Sequence, residues 1–355
     1  MSAWCHQGIW WSLVAMLLAS CSLDSERKAV VALPTGHYEG PISYQGTELL
    51  AVLDLRESKP GQLEADLHFP GLRGLDFPAV NLSYTEPQLR FEEPAQPGGV
   101  QVTAVREGDF LRGVFTLDSV RADFVWVRRG QPEPRAYQEK QLPQQTTLGL
   151  PPLTLLVPND TVARHAAVAL FADASHQAAA TARAGQLAQQ GFVATVVAIS
   201  QTALPDSAAL RRATAVLTAL RRAPAADTTQ IGLWVYGATA AAVTPAVTMM
   251  APQAAFVVLE NVPVASVDQA KPFQALNRRR IPVLALYAAA DTSLNVKEST
   301  RRLRNALGFR RNTLIRTFLK ANSNFRVPGG LTEDGKWSWP RPAAGYVEAI
   351  QEWRK

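Results

Sequence analysis

Histidine and cysteine are scarce in this chain of 355 residues, and their positions exclude a good deal. The five histidines are His6, His37, His68, His165 and His176, so the whole second half of the chain has no imidazole. The two cysteines, Cys5 and Cys21, both lie near the start, and the remainder can form neither a disulfide nor a thiolate site. No His or Cys recurs at ligand spacing, so neither a bound metal nor another cofactor is expected. The basic clusters lack the interleaved aromatics of a nucleic-acid groove, so no nucleic-acid partner is expected.

The first twenty residues also lack any Lys, Arg, Asp or Glu. Within them Ile9 to Ala19 reads IWWSLVAMLLA, the length of a secretory h-region and too short for a spanning helix of about 20 apolar residues. It ends in Leu18-Ala19-Ser20-Cys21. That string resembles a bacterial lipobox, and the basic n-region common to such signals is absent. The resemblance implies cleavage before Cys21 and acylation of its thiol. Residues 1–20 are then a lipoprotein signal peptide and 21–31 a polar tether. The expected partner is the lipid bilayer, reached through acylated Cys21, and the expected location is the cell envelope, on the outer membrane. Each buried methylene contributes about 0.8 kcal/mol, so several acyl chains hold firmly where one does not.

Charge divides the chain. Residues 22–140 carry 13 Lys and Arg against 18 Asp and Glu, a net of −5. Residues 141–355 carry 23 against 12, a net of +11. Arginines cluster at 211–212, 221–222, 278–280 and 310–311. They read as solvated helix faces; attraction to anionic headgroups or an acidic partner is the functional alternative.

The texture divides at the same place. Leu63, Ala65, Leu67 and Phe69 alternate with polar residues, as do Val100, Val102 and Ala104, and Val125 and Val127 flank Trp126 in the same period. Turn signals such as Pro60-Gly61 and Pro97-Gly98-Gly99 punctuate these runs. The pattern predicts an all-β antiparallel domain over 32–130, followed by a Pro/Gln-rich linker over 131–152. From Leu153 apolar strands alternate with helical stretches. Strands are expected at 167–171, 193–199, 231–234, 255–260, 281–287 and 313–319. Helices are expected at 178–190, 210–222, 238–250, 297–307 and from about 343 onward. This predicts an α/β domain over 153–355, a doubly wound and mostly parallel sheet with helices on both faces.

Four segments in order carry a family resemblance. They are Asp227 to Trp234, Ala255 to Glu260 with Pro263, Ile281 to Tyr287 with Asp291, and Gly345-Tyr346-Val347 with Trp353. Together they resemble the α/β-hydrolases, in particular bacterial acyl esterases and peptidase-like serine hydrolases with an N-terminal β domain. Such enzymes place a Ser in G-x-S-x-G on a sharp strand-to-helix turn. The matching turn here is Val235-Tyr236-Gly237-Ala238-Thr239. Gly237 stands at the nucleophile position, and the final Gly is replaced by Thr239, whose Cβ is expected to crowd the helix. The resemblance puts the base at Ser323 and the acid at Asp291, the one triad position that keeps its residue type. Asp291 also suits a structural role, capping the turn before a helix near Val296. In the oxyanion region the chain has Ala172-Asp173, and a carboxylate there is expected to oppose an oxyanion.

The expectation is therefore a degenerate hydrolase domain that binds an unidentified protein or small molecule, or serves as a scaffold. One alternative is an ester or peptide hydrolase with a relocated site. Asp173, Ser175 and His176 cluster suitably for one, although neighbouring Ser and His side chains do not normally face each other. Another is an assembly module acting through the β domain.

Overall fold

The computed structural model describes residues 32–354, apart from 73, 95–97, 143–150, 161, 200–205, 250 and 309. The signal, Cys21 and the tether lie outside the described residues, as does most of the second half of the linker. Thr35–Lys355 forms one compact unit.

The acidic part of the chain folds as nine antiparallel strands. In chain order they are β1 (Gly36–Tyr44), β2 (Thr47–Lys59), β3 (Gln62–His68), β4 (Phe77–Pro78), β5 (Val80–Thr85), β6 (Gln88–Glu92), β7 (Gln101–Glu107), β8 (Phe110–Leu117) and β9 (Val120–Gly130). The sheet order is β4-β3-β2-β1-β9-β8-β7-β6-β5. Alternation puts Leu53, Leu67, Val102 and Phe115 into one core. At β9 the period holds but the face is the opposite of the expected one. Trp126 is fully buried while Val125 is 38% exposed, because Trp126 stacks on Phe124 with ring centroids 3.9 Å apart. Burying two aromatic rings removes more apolar surface from water than burying two valines.

The second sheet begins inside the expected linker. β10 (Tyr137–Leu142) pairs antiparallel with β11 (Leu153–Pro158), and Tyr137 is buried. Then follow β12 (His165–Ala172), β13 (Val193–Ala198), β14 (Ala226–Tyr236), β15 (Phe256–Glu260), β16 (Val283–Ala288) and β17 (Thr313–Phe318). The order is β10-β11-β13-β12-β14-β15-β16-β17, and all pairings from β13 to β17 are parallel.

The helices are α1 (Gln177–Gln189), α2 (Asp206–Arg222), α3 (Thr239–Val243), α4 (Pro245–Met249), α5 (Val267–Arg279), α6 (Val296–Leu307) and α7 (Ala349–Arg354). Two apolar clusters flank the strands. Ala169, Leu233, Val257 and Ala285 share one with Val216, Val247, Phe273 and Leu303. Leu170, Trp234, Val258 and Leu284 share the other with Ala184 and Ile350. The single helix expected over 238–250 is two short ones, because Pro245 has no N–H to continue the ladder. The closing helix starts later than expected, at Ala349. Arg221, Arg222, Arg278 and Arg279 occupy last helical turns, where cations complement the carbonyl end.

A ribbon after β17 joins the two sheets. β18 (Arg326–Val327) pairs β21 (Arg341–Pro342), and β19 (Gly330–Leu331) pairs β20 (Trp337–Ser338). It delivers Trp339 into the core of the nine-stranded sheet, 6.3 Å from both Tyr44 and Phe115. The expected boundary at 131–152 is therefore crossed a second time, by a residue near the C-terminus. Among the described residues no helix is long and apolar enough to cross a membrane.

Candidate functional site: the turn at Gly237

The turn after β14 is a sharp strand-to-helix turn. Gly237 has φ +55°, a left-handed conformation that costs glycine little. Its N–H donates to the Glu260 carbonyl at 2.8 Å, fixing the turn to the end of β15. Ala238 then takes helical angles and α3 begins at Thr239. The crowding expected of Thr239 is absorbed. The side chain is buried and its hydroxyl donates to the Tyr236 carbonyl at 2.6 Å.

The loop after β12 lies over this turn. A Cβ built on Gly237 would stand 3.3 Å from Cε1 of His176 and 3.8 Å from both ring nitrogens. The imidazole also stacks on Tyr236, with ring centroids 6.0 Å apart and 29° between planes. Its position is set by Asp173, whose Oδ1 accepts from His176 Nδ1 at 2.7 Å, Ser175 Oγ at 2.6 Å and the backbone N–H groups of both residues. Burial opposes the charge of Asp173, but these hydrogen bonds hold its carboxyl below the usual carboxylate range. The carboxylate thus closes its own turn. Ser175 and His176, although adjacent in sequence, do face each other, with Oγ 3.0 Å from Nδ1. The tight turn around Asp173 curls both side chains onto one oxygen.

The other two predicted triad positions are not joined to the turn by any side-chain hydrogen bond among the described residues. Asp291 accepts from Ser293 N–H at 2.8 Å and Ser293 Oγ at 2.6 Å, so it closes a turn, as its structural reading expected. The cap of α6 itself is Asn295, whose side chain accepts from Glu298 N–H. Ser323 offers its backbone carbonyl to Asn261 Nδ2 at 3.0 Å, and Asn261 Oδ1 accepts from Ala288 N–H at 2.9 Å. The Asn261 amide therefore bridges the end of β16 to the loop after β17.

Beneath the turn lies a network that the sequence did not reveal. Glu260 Oε2 accepts from Trp234 Nε1 at 2.9 Å and from the Tyr346 hydroxyl at 3.0 Å. The Arg183 guanidinium lies 4.0 Å from the Tyr346 ring centroid and 5.6 Å from that of Trp234. Glu260 and Arg183 are both buried, and burial pushes the Glu260 carboxyl above its ordinary range. The one available signal was register, since Tyr236 and Glu260 end adjacent parallel strands.

Space beside the Glu260 network is small. Arg183, Glu260, Phe325 and Tyr346 help line a cavity of about 40 Å³, close to the volume of one water. A larger cleft of about 240 Å³ lies elsewhere, between the nine-stranded sheet and α1, lined by Asp54, Arg56, His68, Arg135 and Gln186 among others. Its charges are largely spent on one another. Arg135 holds Asp66 through two bonds of 2.8 and 3.0 Å, Arg56 also binds Asp66, and His37 binds Asp54. Among the described residues no group of three or more His, Cys, Asp or Glu could hold a metal ion.

No family model matches the chain, and no curated protein does. Among solved structures it is similar to a provisionally assigned dienelactone hydrolase from Klebsiella pneumoniae subsp. pneumoniae. That similarity has a TM-score of 0.40 and 17% identity, and it covers 52% of this chain and 86% of the other.

Proposed function

We propose that this chain is a non-catalytic relative of the α/β-hydrolases, held on a membrane by an acylated Cys21 and used as a scaffold. The fold reading is supported by the strand order and by helices on both faces of the sheet. It is also supported by a left-handed turn leading from the fifth strand of that sheet into a helix, which is where the hydrolases carry their nucleophile. The observation that carries the functional reading is at Gly237. The residue has no nucleophilic atom, and an imidazole stands over the space a nucleophile would use. Removing the nucleophile alone costs about 10⁶ in turnover in a well-studied serine protease.

The small cavity beside Glu260 favours a scaffold over a ligand-binding role. Drug-sized ligands occupy pockets of about 300–1,000 Å³, far more than the cavity beside Glu260.

A relocated active site has one observation in its favour, the 3.0 Å approach of Ser175 Oγ to His176 Nδ1. The hydrogen bonds oppose it. Asp173 Oδ1 is the acceptor for both groups, so Nδ1 carries a proton and cannot take the one on Ser175. A hydrolysis screen of the full-length chain, over short-chain aryl esters and peptidyl substrates, tests the reading. No turnover above buffer is expected, and turnover that survives Ser175→Ala and Ser323→Ala would point to a site outside the vacated turn.

A further inference from the structure

We infer that Asp173 and His176 form an acid–base pair beside position 237, so a single substitution, Gly237→Ser, completes a Ser-His-Asp constellation there. The inference rests on the hydrolase reading of the fold and places the base on the loop before α1, not after β17.

Three observations carry it. The first is proximity: the ring nitrogens lie 3.8 Å from the position of a Cβ on residue 237, so a hydroxyl one bond further out can approach one of them. The second is the division of labour within the imidazole. Nδ1 is bound to Asp173 at 2.7 Å, while Nε2 has no hydrogen-bond partner among the described residues. A neutral imidazole that donates from Nδ1 keeps its lone pair on Nε2, the form a serine triad requires. The third is rigidity. The ring is fixed by Asp173 on one side and by stacking on Tyr236 on the other, so it needs little reorganisation.

The chemistry with Gly237→Ser follows from that geometry. The new hydroxyl oxygen attacks an ester carbonyl, and its proton passes to His176 Nε2. The tetrahedral intermediate collapses, and the leaving alcohol takes that proton as the C–O bond breaks. Water then attacks the acyl group, its proton passing through the same nitrogen to the oxygen at 237. The carboxylic acid leaves and the starting state returns. Asp173 remains ionised throughout and holds the imidazolium. The 3.3 Å contact of the new Cβ with Cε1 requires the ring to yield by a few tenths of an ångström. The His176 side chain is 33% exposed, so it has room to do so.

Two experiments on the full-length chain test the inference. Nitrogen-15 NMR of the imidazoles in the unmodified protein, assigned with His176→Gln, reads the tautomer directly. In the neutral ring the proton is expected on Nδ1; the neutral tautomer with its proton on Nε2 would overturn the proposal whatever the variants do.

The second compares Gly237→Ser with Gly237→Ser/His176→Ala and Gly237→Ser/Asp173→Asn. Each is checked against the unmodified chain by circular dichroism and thermal unfolding. Gly237→Ser alone should react with a fluorophosphonate at position 237 and hydrolyse a short-chain aryl ester, with no need of Ser323→His. Loss of His176 should lower the rate about 10²–10⁴-fold, the usual contribution of a general base. A folded Gly237→Ser chain that stays inert, or labelling equally fast without His176, would refute the pair while leaving the non-catalytic reading intact. Labelling of the unmodified protein at Ser175 would refute both, since it would give the imidazole to Ser175.

Discussion

Arg326 donates both terminal nitrogens of its guanidinium to the carboxylate of Glu93, joining the ribbon after β17 to the loop after β6. The two side chains are 14% and 1% exposed, and Glu93 Oε2 also accepts from Val100 N–H at 3.1 Å. The pair is a bolt between the two sheets. Removing one partner leaves a charge stranded in the interior, and such losses cost about 3–5 kcal/mol. Arg326→Met is expected to destabilise the chain by that order in urea unfolding. The double variant Glu93→Gln/Arg326→Met should recover a good part of the loss, and a strictly additive cycle would show that the two groups do not interact.

Trp339 makes the sheets interdependent in a second way. Truncating a buried Trp to Ala costs about 3–5 kcal/mol, and this one belongs to a core whose strands all precede residue 131. Trp339→Ala should lower the midpoint of a single unfolding transition followed by both near-ultraviolet and far-ultraviolet circular dichroism. A fragment of residues 32–142 should lack the sharp aromatic signal of the full chain. Native near-ultraviolet signal from that fragment would show that its core closes without Trp339.

The buried Glu260 gives stability a pH dependence with a definite sign. Burial holds its carboxyl above the ordinary carboxylate range, so the folded chain holds this proton more tightly than the unfolded chain does. The contribution is complete below about 4.5 and is lost as pH rises through the higher folded value. Glu260→Gln keeps an acceptor for Trp234 and Tyr346 without the titration. The stability of the unmodified chain relative to Glu260→Gln should fall as pH increases above about 4.5. A difference that grows in the opposite direction would mean that Arg183 dominates and the carboxyl is stabilised in its charged form.

The membrane reading depends on one atom. Cys21→Ala, or inhibition of lipoprotein signal processing, should abolish incorporation of labelled fatty acid and move the protein from the detergent phase to the aqueous phase. Unchanged partition with no label in the unmodified chain would remove the anchor.

Much of the architecture was legible because it is written in periodicity. Leu67 and Val102 lie in alternating runs, and the strands at Phe171, Val197 and Leu259 are short apolar blocks separated by helical stretches. Where two alternating sets competed, as Val125 and Val127 did against Phe124 and Trp126, period alone could not choose the face, and ring stacking decided it. The linker hid β10 because Tyr137 is the only buried residue in a polar edge strand. The sharp turn at Gly237 was legible, since a glycine between an apolar strand and a helical stretch marks a left-handed position. His176 was not legible as its neighbour. The 60 intervening residues carry no local trace of a loop that curls back over a turn, and the curl depends on four hydrogen bonds to one oxygen of Asp173. The Glu260 network was hidden for the same reason, because Arg183 and Tyr346 come from distant segments.

The most direct test of the non-catalytic reading is fluorophosphonate labelling of the unmodified full-length chain, read by intact mass and peptide mapping. The account predicts no adduct, because Gly237 offers no nucleophile and the proton on Nδ1 of His176 denies Ser175 a base. A stoichiometric adduct on Ser175 or Ser323 would contradict it.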